Sequence, residues 1–91
     1  MQIKIFGKNT CPVCKQTKDK FEYFLKHWGY EGKIPLHYYN LDTVEGLAEG
    51  AYYEVSEIPT IVLEDQEKEI TRWTKKPPVS TELKVYLEKE E

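Results

Sequence analysis

The 91-residue chain contains two cysteines, one methionine and two histidines. Nowhere does an apolar run approach the ~18 residues that a membrane-spanning helix needs. Met1-Gln2-Ile3-Lys4 leads straight into a strand pattern without the apolar core of a secretory leader, so the expected location is cytoplasmic. Positive charge is not in excess: 13 Lys and Arg face 16 Asp and Glu, a net charge of −3. With no basic stripe or arm, nucleic acid is not an expected partner. Internal repeats, low-complexity tracts and linkers are missing, which makes residues 1–91 one domain. A zinc site is not expected either. Zinc wants four ligands, and beyond the cysteines only His27 and His37 are available, without a His-x3–5-His spacing.

Both cysteines stand in one stretch, Lys8-Asn9-Thr10-Cys11-Pro12-Val13-Cys14-Lys15, after the apolar run Ile3-Lys4-Ile5-Phe6 and ahead of a long helical pattern. Thiolate, not thiol, is the nucleophile, and a free cysteine of pKa ~8.5 is only about 3% ionised at neutral pH. A helix N-terminus, with its unpaired N–H groups and aligned dipoles, favours negative charge. A pKa near 7 is the expectation for Cys11; such a drop corresponds to about 2 kcal/mol and leaves about half the sulfur as thiolate. Pro12 suits the first helical turn, since its φ is already helical and its missing N–H had no partner there. Cys14, three positions on, shares a helix face with Cys11, so the two can close a small disulfide ring. Cys11 then attacks a disulfide and Cys14 resolves the mixed disulfide. Lys8 can add positive charge beside the thiolate. A purely structural bridge would close too short a loop to restrict the unfolded chain much.

Residues 2–6 read as a strand and Gly7 to Thr10 as a loop. A helix follows from Pro12 to about Trp28, with Val13, Thr17, Phe21, Phe24, Leu25 and Trp28 inward and Gly29 as its stop. Pro35 to Leu41 reads as a strand. A second helix is capped by Asp42 or Thr43, with Val44, Leu47, Ala48, Ala51 and Val55 as its buried stripe, and it ends at Ile58-Pro59. Gly46 and Gly50 should each weaken it by about 1 kcal/mol relative to alanine. Thr60 to Leu63, a charged turn over Glu64 to Lys68, and Glu69 to Trp73 form a hairpin. Lys75 to Pro78 is loop. Ser80 caps a last helix with Leu83, Tyr86 and Leu87 inward, and Glu88 to Glu91 are expected to fray. The first two strands should be parallel and the last two antiparallel. The tyrosines Tyr38, Tyr39, Tyr52 and Tyr53 and Trp73 read as packing residues, and His27 and His37 as surface.

The Cys-Pro-x-Cys at the end of the first strand, with Ile58-Pro59-Thr60 just before the third, resembles the thioredoxin superfamily and, within it, the glutaredoxins, over nearly the whole chain. The resemblance implies an α/β thioredoxin-like fold, β-α-β-α-β-β-α, with a four-stranded mixed sheet flanked by helices. It implies a thiol–disulfide oxidoreductase with a redox-active Cys11–Cys14 disulfide. Lys8 sits where glutaredoxins carry a lysine near the nucleophile. Pro59 matches a cis proline beside the cysteines, and the Ile58 backbone matches one that pairs with bound peptide or glutathione like an added strand. Thr10, Pro12, Val13, Ile58, Pro59 and Thr60 would then shape the substrate groove. Partners would be disulfide-containing proteins, with glutathione as a possible co-substrate, no tightly bound cofactor and a monomeric chain.

The glutaredoxin pattern of a Gly-Gly pair and an aspartate before the last helix is replaced here by residues Ile70 to Ser80, including Lys75-Lys76-Pro77-Pro78. The Trp73…Pro78 spacing loosely resembles redoxins that supply ribonucleotide reductase and take electrons from a thioredoxin-reductase-type enzyme. The electron donor thus stays open. Two other classes stay open with it: a binding module of this fold without turnover, and an iron–sulfur carrier.

Overall fold

A computed structural model describes residues 1–89 of the chain. The elements run β1 (Gln2–Gly7), α1 (Pro12–His27), β2 (Leu36–Asn40), α2 (Val44–Tyr52), β3 (Thr60–Asp65), β4 (Lys68–Thr74) and α3 (Ser80–Lys89). The strands form one mixed sheet in the order β2-β1-β3-β4. β1 and β2 are parallel; β1 with β3, and β3 with β4, are antiparallel. The expected element order and strand directions are therefore found.

β1 and β3 form the centre of the sheet because they can be buried on both faces. Ile3, Ile5, Phe6, Ile61, Val62 and Leu63 are all fully buried. α1 covers one face with Thr17, Phe21 and Leu25, and α3 adds Leu83 and Leu87. Each such large apolar side chain contributes roughly 1.5–3 kcal/mol by leaving water. Gly29 ends α1 as expected, with φ at +80°, a conformation that costs glycine little. The β3–β4 hairpin turns on Gln66 and Glu67, both at positive φ (51° and 66°), the geometry of a tight primed turn.

Several expectations are corrected. α2 stops at Tyr52, well before Ile58-Pro59, and Thr43 is its cap, its Oγ1 accepting from the Gly46 N–H at 3.0 Å. Its inward residues are Gly46 and Gly50, while Val44, Leu47, Ala48 and Ala51 are exposed. The reason is closeness of approach: a Cβ on Gly46 would lie 1.8 Å from the Asn40 carbonyl oxygen, so only glycine fits against the β2–α2 turn. Glu64 is not a turn residue but the buried fifth residue of β3, 3% exposed. Lys4 makes this possible: its Nζ lies 3.4 Å from Glu64 and donates to the Tyr53 hydroxyl at 2.8 Å, while Tyr53 donates to Glu64 at 2.7 Å and Gln2 donates to it as well. Burial alone would lower the Lys4 pKa; the Tyr53 hydrogen bond and the Glu64 charge together hold it above the ordinary lysine value. Finally, α3 continues through Glu88 and Lys89 rather than fraying there; residues 90 and 91 lie outside the described residues. Tyr52, read as packing, is exposed, and so is Val13, read as inward on α1, because it lies in the first turn beside the cysteines rather than over the sheet. No helix of the described residues is long and apolar enough to cross a membrane.

Candidate active site

The strand register gathers four loops at one edge of the sheet. Gly7 pairs with Asn40, Phe6 with Thr60, and Thr60 with Thr74. The Lys8–Thr10 loop, the turn after Asn40, the Ile58–Pro59 segment and the Lys75–Pro78 loop therefore emerge together. Two of them are tied directly, by the Lys75 N–H donating to the Pro59 carbonyl at 2.7 Å.

At this edge Cys11 is the N-cap of α1. Its backbone is extended (φ −101°, ψ 106°), and Pro12 follows in the first turn. The Cys11 N–H donates to the Lys8 carbonyl at 3.1 Å, which closes the loop onto the helix. The Cys14 N–H donates to Cys11 Sγ at 3.1 Å. A sulfur in that position does what a serine or aspartate oxygen does at an ordinary cap, and a negative sulfur accepts the bond more strongly than a neutral one. No acidic side chain stands in the first turn to oppose it. The expectation for Cys11 thus has a specific donor.

Cys11 and Cys14 are joined as a disulfide, with Cα atoms 5.2 Å apart, inside the usual span of about 4.4–6.8 Å. The two sulfurs differ in access: Cys11 is half-buried, while Cys14 is fully buried. One can be reached by a substrate and the other only by its neighbour. Thr10, Pro12 and Val13 are exposed around them, with Val13 46% accessible. Val13 also opens a groove of ≈ 670 Å³ that runs along α1 past Gln16 and Lys20 to Tyr23, with Pro77 on its far wall.

The Ile58–Pro59 peptide bond is cis, Ile58 is half-buried and Pro59 is buried. Thr60 is buried too, and its hydroxyl donates to the Glu57 carbonyl at 2.6 Å, fixing the bend into β3. Lys8 is half-buried, and its Nζ lies 3.8 Å from Asp42 Oδ1. The lysine thus shares its charge with an aspartate on the next loop, a partner that the sequence pattern did not reveal. Sequence reasoning also passed over Tyr38, which lines an opening of ≈ 260 Å³ beside Lys8, Asn9, Lys15 and Lys18. The available signal was Gly7, since a glycine ending a strand often marks a close approach. His27 and His37 are exposed, and no three His, Cys, Asp or Glu side chains among the described residues are grouped to hold a metal ion.

Neither a family model nor a curated protein sequence matches the chain. Solved structures do. Thioredoxin 1 from Thermosipho africanus superposes with a TM-score of 0.78 at 26% identity, covering 99% of this chain and 98% of that one. Thioredoxin-2 of the malaria parasite, described as a component of its protein secretion machinery, gives 0.78 at 23% identity over 97% and 81%. A thioredoxin-like protein from Edwardsiella tarda gives 0.76 at 20% identity over 94% and 80%. The fold is therefore thioredoxin-like. With the Cys11–Cys14 pair mounted at this edge, the chemistry is that of a thiol–disulfide oxidoreductase in general terms.

Proposed function

We propose that this thioredoxin-fold chain is a small cytoplasmic reductase of protein disulfides and glutathione mixed disulfides, working by dithiol exchange through its Cys-Pro-Val-Cys centre. The observation that supports it most is the asymmetry of the two sulfurs. Cys11 is accessible and held by a backbone N–H at 3.1 Å, and Cys14 is sealed behind it.

The Cys11 thiolate attacks one sulfur of the substrate disulfide, and the other substrate sulfur leaves as a thiolate. Cys14, deprotonated, then attacks Cys11 Sγ; the Cys11–Cys14 bond forms and the second substrate sulfur leaves. Two electrons pass from the dithiol to the substrate, whose two thiolates take up protons. The Ile58–Pro59 segment leading into β3 offers backbone groups with which a substrate strand can pair. In the reverse half of the cycle an external dithiol or two glutathiones reduce the Cys11–Cys14 bond.

An insulin-reduction assay, run with glutathione plus glutathione reductase and separately with NADPH plus thioredoxin reductase, tests this reading and identifies the donor. Cys11→Ser is expected to abolish turnover, and Cys14→Ser to accumulate a mixed disulfide. Full turnover in both variants would overturn the proposal. The redoxin reading gains support from the Lys75 to Pro78 loop, which lacks the Gly-Gly-Asp arrangement for glutathione; activity with thioredoxin reductase alone would select it.

A further inference from the structure

We propose that the Tyr38 hydroxyl donates a hydrogen bond to the Cys14 sulfur in the reduced protein and so stabilises the resolving thiolate. This rests on the dithiol reading above and assigns a residue to its second step.

A fully buried thiol is hard to ionise, because burial disfavours the charged form. Yet Cys14 has no exposed surface and must act as a thiolate. Its backbone environment offers little help, since the N–H of Cys14 is directed to Cys11 Sγ. Thr17, one turn on, is also committed: its hydroxyl donates to the Val13 carbonyl at 2.7 Å.

Tyr38 is different. A Cβ on Gly7 would lie 2.7 Å from the Tyr38 hydroxyl oxygen and 2.8 Å from Cys14 Sγ, so hydroxyl and sulfur share the space that a side chain at position 7 would fill. Gly7 is what lets β2 present a phenol to a cysteine on α1 across the end of β1. The Tyr38 ring lies beneath Lys18 Nζ at 5.6 Å, which leaves the hydroxyl at the far end of the ring facing the gap at Gly7. In the oxidised protein Cys14 is half of a disulfide and a weak acceptor. After reduction its sulfur becomes a charged acceptor, and a small shift of the phenol across the gap left by Gly7 brings its O–H to that sulfur. Partial burial raises the Tyr38 pKa from the ordinary tyrosine value, which favours the protonated, donating phenol.

The charged groups around this point are Lys8, Lys15 and Lys18, which line the opening beside Tyr38; Lys8 is paired with Asp42 and Lys18 with Glu22. β1 contributes only Phe6 and Gly7 at this end. The lysines are the charged groups of this opening, and Tyr38 is the neutral donor at the sulfur. In the resolving step the proton that Cys14 gives up is taken by the departing substrate thiolate. The thiolate then attacks Cys11 Sγ, expelling the substrate thiolate, and the phenol keeps its own proton.

The test is to titrate the Cys14 thiol by thiolate absorbance in a Cys11→Ser background, with and without Tyr38→Phe. Loss of the donor is expected to raise the Cys14 pKa by about 0.5–1 unit, a three- to tenfold loss of thiolate below it. In the protein with both cysteines, Tyr38→Phe is expected to slow release of the mixed disulfide several-fold while the first attack by Cys11 on a small aromatic disulfide keeps its rate. Should Tyr38→Phe fail to fold, 3-fluorotyrosine placed at position 38 keeps the shape and strengthens the donor, and is expected to lower the Cys14 pKa instead. An unchanged Cys14 titration and an unchanged resolution rate would overturn the proposal. The titration needs no turnover, so its failure removes the role of Tyr38 alone. Failure of the reductase reading shows separately, as absence of insulin reduction by the unsubstituted protein.

Discussion

Helix α1 turns Thr17, Phe21 and Leu25 onto the sheet and leaves its charged residues outside. Helix α2 does the reverse with its apolar residues: Gly46 and Gly50 face inward, while Val44 and Leu47 are 86% and 59% exposed. Both are amphipathic in sequence. The difference is the space each is given. α1 crosses the sheet at side-chain distance, so burial area decides which face turns in. α2 is pressed against the end of β2, where the Asn40 carbonyl leaves room for a hydrogen atom and nothing larger at Gly46. Close packing outranks hydrophobicity there, because a backbone clash cannot be relieved by a rotamer. The helix held by large side chains carries the reactive sulfurs, and the helix held by backbone proximity braces the strand beside them.

The contrast can be broken most severely in α1. Phe21→Ala removes a 1%-exposed ring from the main core and is expected to cost about 3–5 kcal/mol in urea denaturation. A loss under ~1 kcal/mol would mean that α1 is not anchored by that face.

In α2 the decisive substitution adds a single methyl. Helix propensity alone favours Gly→Ala by about 1 kcal/mol. Gly46→Ala is nonetheless expected to destabilise by about 1–3 kcal/mol, as overpacking against backbone does. At Gly50→Ala the one close neighbour is the flexible Leu41 Cδ2, at 2.8 Å, with Val55 Cβ in ordinary contact at 4.0 Å, and the change should fall within about 1 kcal/mol of neutral. Equal effects at the two glycines, measured by the same denaturation, would remove the close-approach explanation.

The smallest effect is expected at the apolar surface of α2. Leu47→Ser should change stability by no more than about 0.5 kcal/mol. A cost like that of Phe21→Ala would show that this face is covered in solution.

These residues also show what could be read in advance. α1 was legible because periodicity, an N-terminal proline and a terminal glycine all agreed, and the strand pattern of β1 and β3 was legible because their buried runs are continuous. The inward face of α2 was not, since the sequence counts apolar residues and does not measure the distance to Asn40. The burial of Glu64 was hidden for a similar reason: its partners Lys4, Tyr53 and Gln2 lie far away in the chain. At the site, the cysteines and Pro59 announced themselves through local spacing. Asp42 beside Lys8 and Tyr38 beside Cys14 did not, because the parallel pairing of β1 with β2 creates both encounters.

The most direct measurement is the thiolate titration of Cys11 in a Cys14→Ser variant. That substitution removes the second sulfur and keeps the backbone N–H that caps Cys11. An apparent pKa about one unit or more below the ordinary cysteine value of ~8.5 is the expected result. A value at or above 8.5 would contradict the claim that the start of α1 holds this sulfur ready as an anion.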